Sequence, residues 1–199
     1  YRCILEISSQ YLKGKTQQSS RFTITSFNCS SNLMAILDQN GLVFILDLFN
    51  ETYWQVPLSG FCSFIKFLDF SPRELLVCDE KNSVLFINVD DGVAVRELKG
   101  HSYPVKFISS TNDKKYLMTS SLYETIIWDL QTNTQKHKLF LTKKIAIKLI
   151  TFLPHSNNIL ACFQDDSLTV WSFKTFDCMN QFIPNDWRGH HLKSIAFSR

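Results

Sequence analysis

Apolar residues in this chain come in short runs separated by polar turns, and the runs repeat. Four segments share one form: "VFILDLFN" (43–50), "LFINVDDG" (85–92), "TIIWDL" (125–130) and "TVWSFKT" (169–175). Their polar positions Asp47, Asn88, Asp129 and Ser172 lie 41, 41 and 43 residues apart, each preceded by a large apolar residue: Leu46, Ile87, Trp128 and Trp171. A second landmark is an apolar run ending in Phe27, Phe67, Phe107, Phe152 and Phe197, spaced 40, 40, 45 and 45. A short turn and another apolar run follow each of the first four: "LMAIL" (33–37), "LLVC" (75–78), "YLMT" (116–119) and "ILACF" (159–163). Each period closes with a more polar segment: "YWQVPL" (53–58), "AVRELKG" (94–100), "KHKLFLTK" (136–143) or "CMNQFIP" (178–184). Four short strands in 40–45 residues is the pattern of one propeller blade. The middle strands are almost continuously apolar because neighbouring blades cover both faces, whereas the outer strand alternates because one side meets water. The expected fold is all-β, with blades over roughly 20–60, 61–100, 101–144 and 145–186.

Composition agrees with packed strands. Of 199 residues, 45% are hydrophobic and 17 are Phe, while Gly (6) and Pro (5) are scarce. That is enough apolar material for a core and too much for a disordered tail. A net charge of +3 is too small to signal nucleic acid, whose binders concentrate a basic face. The most apolar runs carry charges and fall short of the roughly 18 residues a spanning helix needs, so no membrane insertion is expected. The six cysteines, Cys3, Cys29, Cys62, Cys78, Cys162 and Cys178, are scattered without a C-x-x-C pair. They read as free thiols of an intracellular protein, with neither a zinc site nor a disulfide framework.

Gly100-His101 opens the third unit and Trp128-Asp129 nearly closes it, which resembles a WD40 repeat; Gly60-Phe61 holds the Gly-His place in the second unit, and Gly189-His190-His191 echoes it before a fifth. In well-formed units of that family the His, a Ser or Thr, the Trp and a turn Asp form a buried hydrogen-bond chain. Here the third unit has His101, Thr119 or Ser120, and Trp128, but its turn Ser121–Glu124 holds no Asp. The fourth has Asp165, Asp166 and Trp171 but no matching His. Apolar packing is therefore expected to dominate, and His101 must find another partner or water, since an unpaired buried polar group costs roughly 1–3 kcal/mol. Because an open stack leaves strand edges that sheets avoid, the chain reads as part of a seven-bladed propeller. Residues 187–199 would begin the next blade, and 1–19 would end a preceding one or form a linker.

A closer likeness rests on "LKGHSYPVKFISS" (98–110), "KKYLMTSSLYETIIWDLQT" (114–132) and "ITFLPHSNNILACFQDDSLTVWSFKTFDC" (150–178). These resemble the N-terminal WD40 region of the TBC domain family member 31 group, WD-repeat proteins with a later TBC domain. The resemblance implies a cytoplasmic adaptor at the centrosome, basal body or cilium. It also implies an alternative, a regulatory domain for Rab GTPase activation, although none of the TBC motifs occurs in these residues.

Catalytic motifs are missing from the sequence: no nucleophile elbow, P-loop, kinase loop or H-E-x-x-H stands in it. Asp90-Asp91 and Asp165-Asp166 fall in turns, where aspartates bond their own backbone. His190-His191 have no third ligand in view, and His155 reads as surface. Neither enzyme activity nor a cofactor or metal is expected. The candidate contacts for a partner are Lys136, Lys138, Lys143, Lys144 and Lys148 on and after the third outer strand, together with Tyr53 and Trp54. The lysines read either as a solvated strand edge or as a surface for an acidic protein such as a tubulin tail. Tyr53 and Trp54 read either as interface anchors or as packing against the next blade. Glutamate at Lys143 and Lys144 would weaken an acidic partner in a salt-dependent way.

Overall fold

The four-strand period becomes four antiparallel sheets in the computed structural model, which describes residues 22–28, 31–58, 60–68, 70–71, 73–140 and 145–183. The expectations placed on residues 1–19 and 187–199, on Lys143, Lys144, His190 and His191, and on Phe197 lie outside the described residues. Sheet one holds β1 (Phe22–Asn28), β2 (Leu33–Asp38), β3 (Val43–Asp47) and β4 (Thr52–Gln55); sheet two holds β5 (Cys62–Phe67), β6 (Glu74–Asp79), β7 (Val84–Asn88) and β8 (Ala94–Leu98). Sheet three holds β9 (Phe107–Ser110), β10 (Tyr116–Ser120), β11 (Glu124–Asp129) and β12 (Thr134–Phe140); sheet four holds β13 (Ile147–Phe152), β14 (Ile159–Phe163), β15 (Leu168–Trp171) and β16 (Cys178–Phe182). Every sheet runs in chain order, each strand beside the next.

Three apolar clusters join consecutive sheets. Alternate residues of one strand serve different neighbours: Leu75 and Val77 of β6 pack toward sheet one, Leu76 and Cys78 toward sheet three. This two-sided burial is why the middle strands read as unbroken apolar runs. First strands of adjacent sheets meet, β1 against β5 and β9 against β13, as in blades converging on an axis. Side chains stitch these inner edges. The Phe67 N–H donates to Ser26 Oγ (2.8 Å), the Phe152 N–H to Ser109 Oγ (3.3 Å), and Lys66 Nζ to the Ile108 carbonyl (2.6 Å). An otherwise bare strand edge is thereby satisfied.

The register upholds one landmark and corrects the other. Leu46, Ile87, Trp128 and Trp171 stand opposite Met34, Leu75, Leu117 and Ile159, one equivalent place in each sheet. Those second-strand residues in turn face Phe27, Phe67, Ser110 and Phe152. The third sheet therefore has Ser110 where the others have Phe. Phe107 lies three places earlier, opposite Ser120, as Phe64 lies opposite Cys78.

The polar column has a single structural task. Asp47, Asn88, Asp129 and Ser172 accept the backbone N–H two residues on, at 3.0, 2.9, 2.9 and 3.2 Å respectively. Four places after each comes a residue in the left-handed region: Glu51 (φ 54°), Gly92 (φ 70°), Asn133 (φ 55°) and Phe176 (φ 60°). The turn between third and fourth strands is thus one conformation repeated, with side-chain oxygen replacing a backbone acceptor. Phe176 is unusual there, since bulky residues disfavour positive φ. Its ring stacks on His137 of the preceding sheet at 3.9 Å.

Candidate partner-binding surface

On one side of the third sheet, the loop before β9 meets the turn between β10 and β11, and a buried polar chain locks them together. His101 Nδ1 lies 3.0 Å from Glu124 Oε1, and His101 Nε2 lies 2.7 Å from Thr119 Oγ1. The Trp128 indole N–H donates to that same Thr119 oxygen at 2.7 Å. One assignment satisfies every atom: Trp128 donates to Thr119, the Thr119 hydroxyl donates to Nε2, and Nδ1–H donates to the Glu124 carboxylate. Glu124 also accepts from the Ser102 N–H (2.5 Å) and pairs with Lys138 Nζ (2.8 Å). The expected turn aspartate is absent, and its acceptor role falls to a glutamate at the start of β11. Glu124 is the last residue of the Ser121–Glu124 turn, and its longer side chain reaches the histidine from there.

Burial, the largest influence, holds the His101 pKa below its ordinary value near 6.5, against the opposing pull of Glu124. Burial would raise the Glu124 carboxyl, yet Lys138, the Ser102 N–H and His101 together hold it below its ordinary 4.5. Both shifts act in one direction. The unfolded chain takes up a proton at His101 first, so stability falls as pH drops through about 6.5; the Glu124 contribution is complete above about 4.5 and is lost below it. Melting curves of the protein should therefore show a loss between about pH 7.5 and 5.5 that shrinks in His101→Gln. An equal loss in that variant would assign it to other groups.

The locked loops carry exposed aromatic rings. Tyr103 and Tyr123, each 52% exposed, meet edge to face with centroids 6.0 Å apart, and Leu122 is exposed beside them. The Leu122 carbonyl accepts from the Ile147 N–H of sheet four (2.8 Å). Tyrosines offer a large amphipathic contact at small entropy cost, and here the buried network has already ordered their backbone. Nothing in the sequence period marks these two residues; only their exposure does.

The residues singled out from sequence are dispersed. Gly100, with φ 156°, approaches the Trp128 ring ahead of His101. Trp128 is buried, and Asp129 caps its turn through the Gln131 and Thr132 N–H groups. In the fourth sheet the Trp171 indole donates to Thr169 Oγ1 (3.0 Å), while Asp165 accepts from the Ser167 N–H and hydroxyl. Lys136 lies over the Tyr116 ring (4.3 Å), Lys138 pairs with Glu124, and Lys148 pairs with Asp166 (2.7 Å). Those three ammonium groups are each engaged within the chain. Trp54 is half-buried, its indole N–H donating to the Val89 carbonyl of sheet two at 2.8 Å, whereas Tyr53 is exposed.

Chemistry-bearing clusters are few. Among the described residues no group of three His, Cys, Asp or Glu is placed to hold a metal, and no helix is long and apolar enough to cross a membrane. Cys62, Cys78 and Cys162 are buried free thiols and Cys178 is an exposed one. Burial pushes the Cys62 thiol up to about 12, so it stays protonated and unreactive.

Comparison with known proteins agrees with this architecture. No family model matches the chain. TBC1 domain family member 31 of Xenopus laevis is 32% identical over 184 residues, 92% of this chain and 17% of its own length. The Oryzias latipes protein of that name is 30% identical over 179 residues, and the Homo sapiens one 29% over 162. The chain therefore spans about a sixth of the length of the curated relatives it matches. Among solved structures, a chain in a crystal structure of the mitotic checkpoint complex superposes with TM-score 0.71 at 18% identity, covering 85% of this chain and 53% of that one. Likeness at that identity speaks for the fold alone. The chain is a segment of a WD40 β-propeller, related along nine-tenths of its length to TBC1 domain family member 31.

Proposed function

We propose that this chain is a non-enzymatic protein-interaction module, the propeller of a scaffold or adaptor that continues into a larger polypeptide and assembly. The observation that carries this reading is the exposed Tyr103–Tyr123 pair standing on loops fixed by the buried His101–Glu124–Lys138 group. A rigid frame that holds its surface loops in place is how such a module presents side chains to a partner. Replacing both tyrosines with alanine in the full-length protein should weaken its main partner by roughly 30-fold, as loss of an aromatic anchor does. The fold should survive, because both rings are half exposed. An unchanged set of co-purified partners, each at unchanged affinity, would remove this face from the account.

Resemblance to the TBC domain family member 31 group supports a setting at the centrosome, basal body or cilium, with cytoskeletal or ciliary proteins, tubulin among them, as partners. Detergent and salt extraction of isolated cilia and basal bodies tests it. Retention with the microtubule fraction after detergent supports the setting. Complete release with membranes or soluble protein favours the second reading, a regulatory propeller of a Rab GTPase-activating protein, which the same resemblance implies.

A further inference from the structure

We infer that the outer rim between the first and second sheets is a second docking surface, one that takes an extended peptide with aliphatic side chains between two basic ends. A groove of about 420 Å³ runs there between the β4–β5 connection and the start of β8. Leu58, Leu85 and Val93 line it, and Pro57 and Phe61 wall it. Val93 is 58% exposed and Phe61 48%, so apolar surface faces water beside a concave site.

Both walls are preformed. A Cβ on Gly41 would meet the Phe61 ring at 2.4 Å, so only glycine lets that ring lie down as it does. A Cβ on Gly92, whose φ is +70°, would stand 2.8 Å from the Pro57 carbonyl. Two glycines thus bring turns of adjacent sheets into close contact and hold the groove open between them. A preordered site binds without the entropic cost of forming itself.

Charge states what fits. Asp79 and Glu80 stand at the β6–β7 turn and Asp91 at the β7–β8 turn, against Lys81 alone among the cations lining the groove. The carboxylates therefore sit at opposite ends of β7, whose five residues span roughly 16 Å. An extended peptide would place cations about six residues apart, on the same face as the aliphatic side chains that lie over Leu58 and Leu85 between them.

This inference deepens the interaction-module reading by naming a partner class, and its test separates the two. A fluorescein-labelled peptide with a Thr-Val-Thr-Val-Thr core between two lysines, which puts both lysines and both valines on one face, is titrated with the full-length protein, read by anisotropy. Saturable binding is expected, weakened about tenfold or more by Val93→Lys and by Glu80→Lys with Asp91→Lys. It should be lost when the lysines become glutamates, and unaffected by the double tyrosine variant. All three substituted residues lie at the surface; because Asp91 also accepts the Val93 N–H at 2.9 Å, Asp91→Asn, which keeps that acceptor and loses the charge, is read beside Asp91→Lys, and both should weaken binding. The inference is overturned if no saturable binding occurs, if the glutamate peptide binds equally, or if neither groove variant weakens binding. If only the tyrosine variant weakens it, the loop face holds the peptide and the groove does not.

Discussion

Glu124→Ala is expected to lower the unfolding free energy by about 3–5 kcal/mol, which is large for one residue. Glu124 is only 8% exposed and gathers three donors: the His101 ring, the Ser102 N–H and the Lys138 ammonium. Its removal leaves a buried imidazole without an acceptor and a partly buried ammonium without a counter-charge. For a domain of this size the shift in melting temperature should be roughly 10 °C. The double change His101→Phe with Glu124→Leu should recover much of the loss, because replacing both partners with apolar groups leaves nothing buried and unpaired. If Glu124→Ala melted within a degree or two of the parent, the network would be ornamental and the loops would be held by apolar packing.

Phe86→Ala should cost a similar amount, about 3–5 kcal/mol, by opening a cavity between the second and third sheets. Phe86 is fully buried, and the Arg96 guanidinium lies 4.4 Å above its ring. That guanidinium also bonds Glu74 at 3.3 Å and approaches the Leu130 carbonyl of the third sheet at 3.5 Å. Loss of the ring thus loosens a polar tie as well as an apolar contact. Phe49, 80% exposed, is the matched control, and its alanine variant should stay within about 0.5 kcal/mol of the parent. Denaturant melts of both variants decide the matter; equal losses would mean that consecutive sheets do not share a core.

What the sequence revealed depended on how directly a residue's job follows from its type. The column Asp47, Asn88, Asp129 and Ser172 was legible because only short polar side chains can accept the N–H two residues on in that turn. The phenylalanine column was less legible, because any apolar or small residue can fill that place. In the third sheet the filler is Ser110, and Phe107 mimics the landmark from another register. Glu124 stood within the turn that was read, Ser121–Glu124, and escaped because an aspartate was sought there, while the longer carboxylate fills the same acceptor role. The lysines stand close along the chain, yet the bulge that leaves Lys136 without a partner in the ladder turns it to an aromatic ring, while Lys138 and Lys148 pair with carboxylates. Exposure of Tyr103 and Tyr123 had no sequence signature, since it depends on which loops the sheets bring together.

The central claim is that the loop face around Tyr103 and Tyr123 meets a protein partner. Its most direct measurement is site-specific photo-crosslinking of the full-length protein in cells, with the photoreactive residue at Tyr103, at Tyr123, or at Asn133 in a turn at the opposite ends of the strands. The account predicts discrete protein adducts from Tyr103 and Tyr123 and none of those adducts from Asn133. No adducts from the tyrosine positions, or the same adducts from all three, would contradict it.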